Sequence, residues 1–283
     1  MMSDLNFWQL IKVKQNDLTK SGRIVADYLA QHAEEAQYLS ISSLAKECSV
    51  AEATIFRFCR ALGFDGYNEM KISLAQANAA PGPATAHTLE PGTDTATLCS
   101  HAAAIAMDAI NGSRAALAPE SIDRAATLLQ RARQVFCFGQ GGSQVLANDI
   151  WARFATVSTK FRTAGDSHMQ AATASLMGPE DVVLFVSYSG ATRDMMETLR
   201  LARGNGAKII LITHYTDAPG ASLADVVLLC GAKENPLDSG SIPVKFSVLY
   251  VAQVLVLRFL LDNQELTNIA RERTSHALAP KLL

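Results

Sequence analysis

Four short β-rich runs constrain what this chain can fold into more than any other feature. They are VFCF at 135–138, VVLFVS at 182–187, KIILIT at 208–213 and DVVLLC at 225–230. None alternates apolar with polar residues, as a strand with one wet face would. Strands that are apolar throughout are covered on both faces. The segments between them are rich in alanine and leucine and long enough for crossover helices. This alternation predicts βαβ units and a parallel sheet covered by helices. A further, weaker strand is expected at Lys160 to Arg162.

The first 78 residues read as helical throughout. Leu18, Ile24, Val25, Tyr28 and Leu29 share one helical face, and short helices follow closely after Ser40. Between the two regions, 79–97 reads AAPGPATAHTLEPGTDTAT, with Pro81, Pro83 and Pro91 and no apolar periodicity. Such a stretch is a partly extended linker. The expected division is a helical domain at 1–78, a linker at 79–97 and an α/β domain at 98–283.

Composition excludes several classes. Apolar residues are 49% and charged residues 18%, enough apolar material for a packed core. A net charge of −2 excludes a polybasic nucleic-acid binder but not a site-specific one, which needs only a local patch. Cysteines at 48, 59, 99, 137 and 230 include no C-x-x-C pair, so neither a zinc ribbon nor a disulfide scaffold is expected. That usage suits a reducing cytoplasm. The N-terminus has no basic n-region. The most apolar run, Val248 to Leu261, is shorter than a membrane span of about 20 residues and contains Gln253 and Arg258. It reads as a buried helix of a soluble domain. No membrane, metal or cofactor is expected.

Two patterns carry chemistry. The first is ISSLAKECSVAEATIFRFCRALGFDGYNEMK from Ile41. A helix at Ser42–Glu47, a turn at Cys48–Val50 and a helix at Ala51–Leu62 put Leu44, Ala45, Val50, Ile55, Phe58 and Leu62 inward. Gly63 then stands at the C-cap position. This is the spacing of a DNA-binding helix-turn-helix, and equally of a plain helical hairpin. In the DNA-binding case Glu52, Ala53, Thr54, Arg57 and Arg60 lie on the outer face of the second helix. Residues 1–78 hold 8 Lys/Arg and 9 Asp/Glu, so phosphate affinity must come from clustered Lys46, Arg57, Arg60 and Lys71.

The second pattern is a pair of glycine/hydroxyl loops. Gly139-Gln140-Gly141-Gly142-Ser143 follows VFCF directly. Ser187-Tyr188-Ser189-Gly190-Ala191-Thr192 ends VVLFVS, with a helix opening at Arg193. Loops at the carboxyl ends of parallel strands form the ligand crevice, and helix N-termini there offer unpaired N–H groups to a phosphate. Each loop alone is also an ordinary turn or a serine-rich cap. Neither is a Walker A motif or a complete dinucleotide fingerprint.

The first pattern resembles the N-terminal domain of RpiR-type bacterial transcriptional regulators. The match includes Ile41, Leu44, Ala45, Ala53, Thr54, Ile55, Arg57, Phe58, Cys59, Leu62, Gly63, Phe64, Gly66, Tyr67 and Lys71. Ala51 stands where that family usually has a serine that caps the recognition helix. Ser49 is expected to replace it in part. The two loops resemble those of a SIS (sugar isomerase) domain, over about Ala125 to Leu261. This resemblance implies an all-α helix-turn-helix domain followed by a five-stranded parallel sheet flanked by helices. It implies a regulator that binds operator DNA as a homodimer or tetramer and senses a phosphorylated sugar.

By the same resemblance Ser143, Ser187, Ser189 and Thr192 hold the phosphate, with backbone help from Gly141, Gly142 and Gly190. His168 and Glu234, the latter in the loop Gly231–Ser241, line the sugar side. Lys245 and Gln253 stand where many members have Arg and Asp. The rival reading is an aldose–ketose isomerase, since SIS domains also serve that reaction. It needs a positioned base, for which Glu234, His168 or His214 would have to serve. The helix-turn-helix favours the regulator.

Overall fold

The computed structural model describes residues 6–78, 92–231 and 242–281. These divide into two compact units, the first ending at Ala104 and the second beginning at Ile105.

The first unit is built from six helices: α1 (Phe7–Lys14), α2 (Lys20–Gln31), α3 (Ala33–Ala36), α4 (Ile41–Glu47), α5 (Glu52–Leu62) and α6 (Tyr67–Asn78). Local chemistry sets their starts. Asn6 and Gln9 form a reciprocal capping box on α1, Thr19 caps α2 and Ser40 caps α4. One apolar cluster holds them together, with Phe7, Leu29, Leu44, Ile55, Met70 and Leu74 out of contact with water. Burial pushes the Cys48 thiol up to about 11 and the Cys59 thiol up to about 12, which marks both as packing groups rather than nucleophiles.

Helix α7 (Thr95–Ala116) begins inside the segment expected to be linker, so 95–97 are helical; 79–91 lie outside the described residues. The second unit continues with α8 (Pro119–Arg131), β1 (Gln134–Gly139), α9 (Gly142–Ala155), β2 (Phe161–Thr163), α10 (Ser167–Ser175), β3 (Asp181–Val186), α11 (Arg193–Gly204), β4 (Lys208–Thr213), β5 (Val226–Leu229), α12 (Ile242–Asp262) and α13 (Gln264–Leu278). All strand pairs are parallel, in the order β2-β1-β3-β4-β5.

The sheet is apolar on both faces because both are covered. Val182, Leu184 and Val186 point to the cluster formed with α8, α9 and α12. Val183 and Phe185 point the other way, to α10 and α11. All six residues of β3 are buried. Helix α12 is longer than its sequence signal: it starts at Ile242, with Pro243 in its first turn. By length and composition it could cross a membrane, but Val244, Val248, Val251, Leu255 and Phe259 lie in the core.

Two contacts fix the sheet's far edge. Gly231, just past β5, meets α7 so closely that a Cβ on it would lie 2.1 Å from the carbonyl carbon of Gly112. Its N–H donates to Ser113 Oγ at 3.0 Å. The Asp225 carboxylate accepts from the Ile209 N–H (2.9 Å), Arg203 Nη1 (2.9 Å) and Lys208 Nζ (3.2 Å). Burial alone pushes the Asp225 carboxyl up, but the Ile209 N–H and the two cations together hold it below its ordinary value.

A carboxylate held below its ordinary value stabilises the fold above that value, and loses the effect as pH falls through the lowered one. Asp225→Asn is expected to cost about 2 kcal/mol near neutral pH. The gap to wild type should narrow below about pH 4. Urea denaturation at the two pH values tests this, and an undiminished gap in acid would refute the ion-pair account.

Candidate functional site

The order 2-1-3-4-5 reverses direction between β1 and β3. Crevices in doubly wound sheets open at such a switch point, outside the carboxyl ends of the strands. The two loops singled out from the sequence leave these two strands. Gly139 pairs with Val186 at the end of the β1–β3 ladder, so both loops start from the same level.

Each loop is shaped by close backbone contacts. A Cβ on Gly139 would lie 2.5 Å from the Ser143 carbonyl oxygen, so only glycine lets α9 turn back over the strand end. Gly190 has φ +57°, and a Cβ there would lie 2.5 Å from the Ala218 Cβ and 2.9 Å from Thr213 Oγ1. The Gly190 carbonyl accepts from the Gly220 N–H at 2.8 Å, and the Tyr188 carbonyl accepts from Thr213 Oγ1 and the His214 N–H. The second loop is thus stitched to the end of β4. Thr192 Oγ1 donates to Gln140 Oε1 at 3.3 Å, which ties the loops to each other.

Both helices that leave these loops start uncapped. The N-cap residues are Gly141 for α9 and Thr192 for α11, and neither N-terminus receives a side-chain hydrogen bond. In α9 the Ser143 and Gln144 N–H groups donate to the Gln140 and Gly141 carbonyls, which leaves the N–H groups of Gly141 and Gly142, with those of the first turn of α11, at the positive ends of the two helix dipoles beside the crevice. Ser187 Oγ accepts from the Gly190 N–H at 3.2 Å and Ser189 Oγ from the Ala191 N–H at 3.4 Å, so both hydroxyl protons are left to donate. Ser143 stands in the first turn of α9.

The remaining sequence candidates fall around this centre. His168 is exposed in the first turn of α10, past the end of β2, with Asp166 capping the helix. His214 stacks on Tyr188 with centroids 5.0 Å apart, and its Nδ1 lies 2.8 Å from the Cys230 carbonyl oxygen. Glu234 lies outside the described residues. Sequence reading missed Gln140, and also Gln170. The Gln170 amide is buried and donates to the Gly139 carbonyl, the Ala164 carbonyl and Gln144 Oε1. A lone glutamine in a helix carries no pattern that marks it as the prop behind a loop.

The helix pair of the first unit forms as its spacing implies. Ile55, Phe58, Cys59 and Leu62 are buried and Gly63 takes φ +102° at the C-cap. Ala51 is the N-cap of α5 and no side chain caps it, so Ser49, with φ +52°, does not replace the missing serine. Glu52 accepts from Ser42 Oγ, and Arg57 Nη2 donates to Thr54 Oγ1 at 3.1 Å. Ala53, Arg57 and Arg60 are exposed, with Arg60 paired to Asp65. That pair is solvated and easily exchanged. Lys71 departs from the expected phosphate cluster: its Nζ donates to the Leu39 carbonyl at 3.1 Å, which fastens the approach to α4.

The helix-turn-helix domain of the RpiR family matches residues 5–81, and the SIS domain matches 128–261. The regulator HexR of Pseudomonas aeruginosa is 35% identical over 229 residues, 80% of this chain and 78% of its own. The chain belongs to the RpiR family of helix-turn-helix transcriptional regulators. RpiR of Escherichia coli K12 is 27% identical over 93% of this chain and 89% of its own. The structure of Vibrio vulnificus NanR complexed with ManNAc-6P superposes with a TM-score of 0.88 at 24% identity, covering 98% of this chain and 99% of that one. This kinship favours the regulator over the isomerase. The chain is a transcriptional regulator with an N-terminal DNA-binding domain and a C-terminal SIS domain.

Gly190→Ala forces a Cβ into Ala218 and Thr213 at a left-handed position, and is expected to cost about 2–4 kcal/mol. Gly142→Ala meets nothing within 4 Å and should leave stability unchanged within about 0.5 kcal/mol. Thermal melts of the two variants give the comparison. Equal stability would mean that the second loop is not packed as described.

Proposed function

We propose that the SIS domain senses a phosphorylated sugar and that the bound sugar alters operator affinity. One observation carries this reading: two uncapped helix N-termini on either side of a switch point, with their loops bridged by Thr192 and Gln140. In this reading Ser143, Ser187 and Ser189 donate to phosphate oxygens with the N–H groups of Gly141 and Gly142, while Gly190, whose N–H donates to Ser187, and Thr192, whose hydroxyl donates to Gln140, hold the two loops in shape around it. His168 and Glu234 meet the sugar. That the Vibrio NanR structure is a complex with ManNAc-6P supports this class of ligand.

At the operator the outer face of α5 enters the major groove with Glu52, Ala53, Thr54 and Arg57, while Arg60 meets the backbone. The protein acts in the cytoplasm as a homodimer or tetramer, so that paired recognition helices match paired half-sites. The effector works by binding one arrangement of those helices better than another.

Arg57→Ala should weaken operator binding by about 1–3 kcal/mol with the fold intact. A gel shift at moderate salt with wild-type affinity would dismiss Arg57 as a contact. In the SIS domain, Ser189→Asp sets a carboxylate about 4 Å from the phosphate. The repulsion is about 4 kcal/mol at an intermediate dielectric, so effector affinity should fall at least about 100-fold while DNA binding survives. Calorimetry against a panel of sugar phosphates measures it. Wild-type binding in this variant would move the phosphate site elsewhere.

A further inference from the structure

Helix α5 carries an aromatic side chain that its own unit does not bury. Phe56 is 48% exposed, whereas Ile55, Phe58, Cys59 and Leu62 fill the inward face completely. At 100° per residue, Ala53, Phe56, Arg57 and Arg60 share the opposite half of the helix. The ring edge lies beside Gly66, where a Cβ would lie 3.9 Å from Phe56 Cε2, and about half of the side chain remains open to solvent. Ala53, three residues before it, is the apolar side chain that shares the N-terminal part of that half, Ala61 lies a turn further along, and Arg57 and Arg60 are the flanking cations.

We propose that Phe56, with Ala53, reads the C5 methyl group of thymine in the major groove. This rests on the DNA-binding reading above and adds a base preference to it. The thymine methyl is the one apolar group that any base pair presents there. A phenyl ring has neither donor nor acceptor, so it gains from that methyl and leaves the amino and carbonyl edges of other bases unpaired. Arg60 brings the ring to the groove by neutralising a phosphate, a role in which it carries no sequence information, and Arg57 enters the groove beside the ring.

The test uses the full-length protein. Duplexes are enriched from a random-sequence library, and each thymine of the enriched site is replaced in turn by uracil, which removes only the methyl. Affinities are read by fluorescence anisotropy at fixed salt for wild type and Phe56→Ala. At least one thymine per half-site should show a loss of about fourfold for wild type, the worth of one methyl group kept from water. Phe56→Ala should show no loss at that thymine, with an unchanged salt dependence. Uracil penalties that are the same in both proteins overturn the inference and leave the DNA-binding reading standing. A changed oligomeric state of Phe56→Ala with unchanged uracil penalties also overturns it, and assigns the ring to a contact between copies. Failure to enrich any duplex, with no salt-dependent binding, overturns both.

Discussion

The pairing of β1 with both β2 and β3 is the constraint from which the ligand crevice follows. Because β1 sits between them, the helices that leave β1 and β3 depart to opposite faces of the sheet: α9 to the side of α8 and α12, α11 to the side of α10. A gap is left where they diverge, and backbone N–H groups line it. Two glycines shape it: Gly139 is pressed against the main chain of Ser143 and Gly190 against the side chains of Ala218 and Thr213. A helix end without a cap is a small deficit in stability. Placed in pairs at one crevice, two such ends are what the proposed phosphate site would use.

Much of this was legible in the sequence because the relevant signals are local. Continuous apolar runs flanked by alanine-rich stretches placed β1, β3, β4 and β5 to within a residue or two. The glycine at 63 and the hydrophobic spacing of Ile55, Phe58 and Leu62 placed the recognition helix. What could not be read was whatever depends on a distant neighbour. Lys71 looks like a phosphate contact on a helix, and only the return of the chain at Leu39 shows the carbonyl it serves. Gln170 and Gln140 act through partners about 30 and 50 residues away. The first turns of α12 escaped because Pro243 reads as a break in sequence and as a helix start in space.

The DNA-binding unit works with little charge. Its cations are outnumbered by its acids, two of which, Asp65 and Glu52, are already engaged with Arg60 and Ser42. Affinity for an arbitrary duplex should accordingly be low. Discrimination must then come from contacts to bases, which makes the uncharged residues on the outer face of α5 matter more than in a strongly basic module.

The seat of α7 on the end of β5 has a mechanical meaning. Gly112 and Gly231 touch main chain to main chain, with Ser113 latching the strand end to the helix. A contact between two side chains can absorb a small displacement by changing rotamer. A contact between two backbones has no such slack. If the end of β5 shifts, the helix shifts with it, as a gear tooth follows its rack.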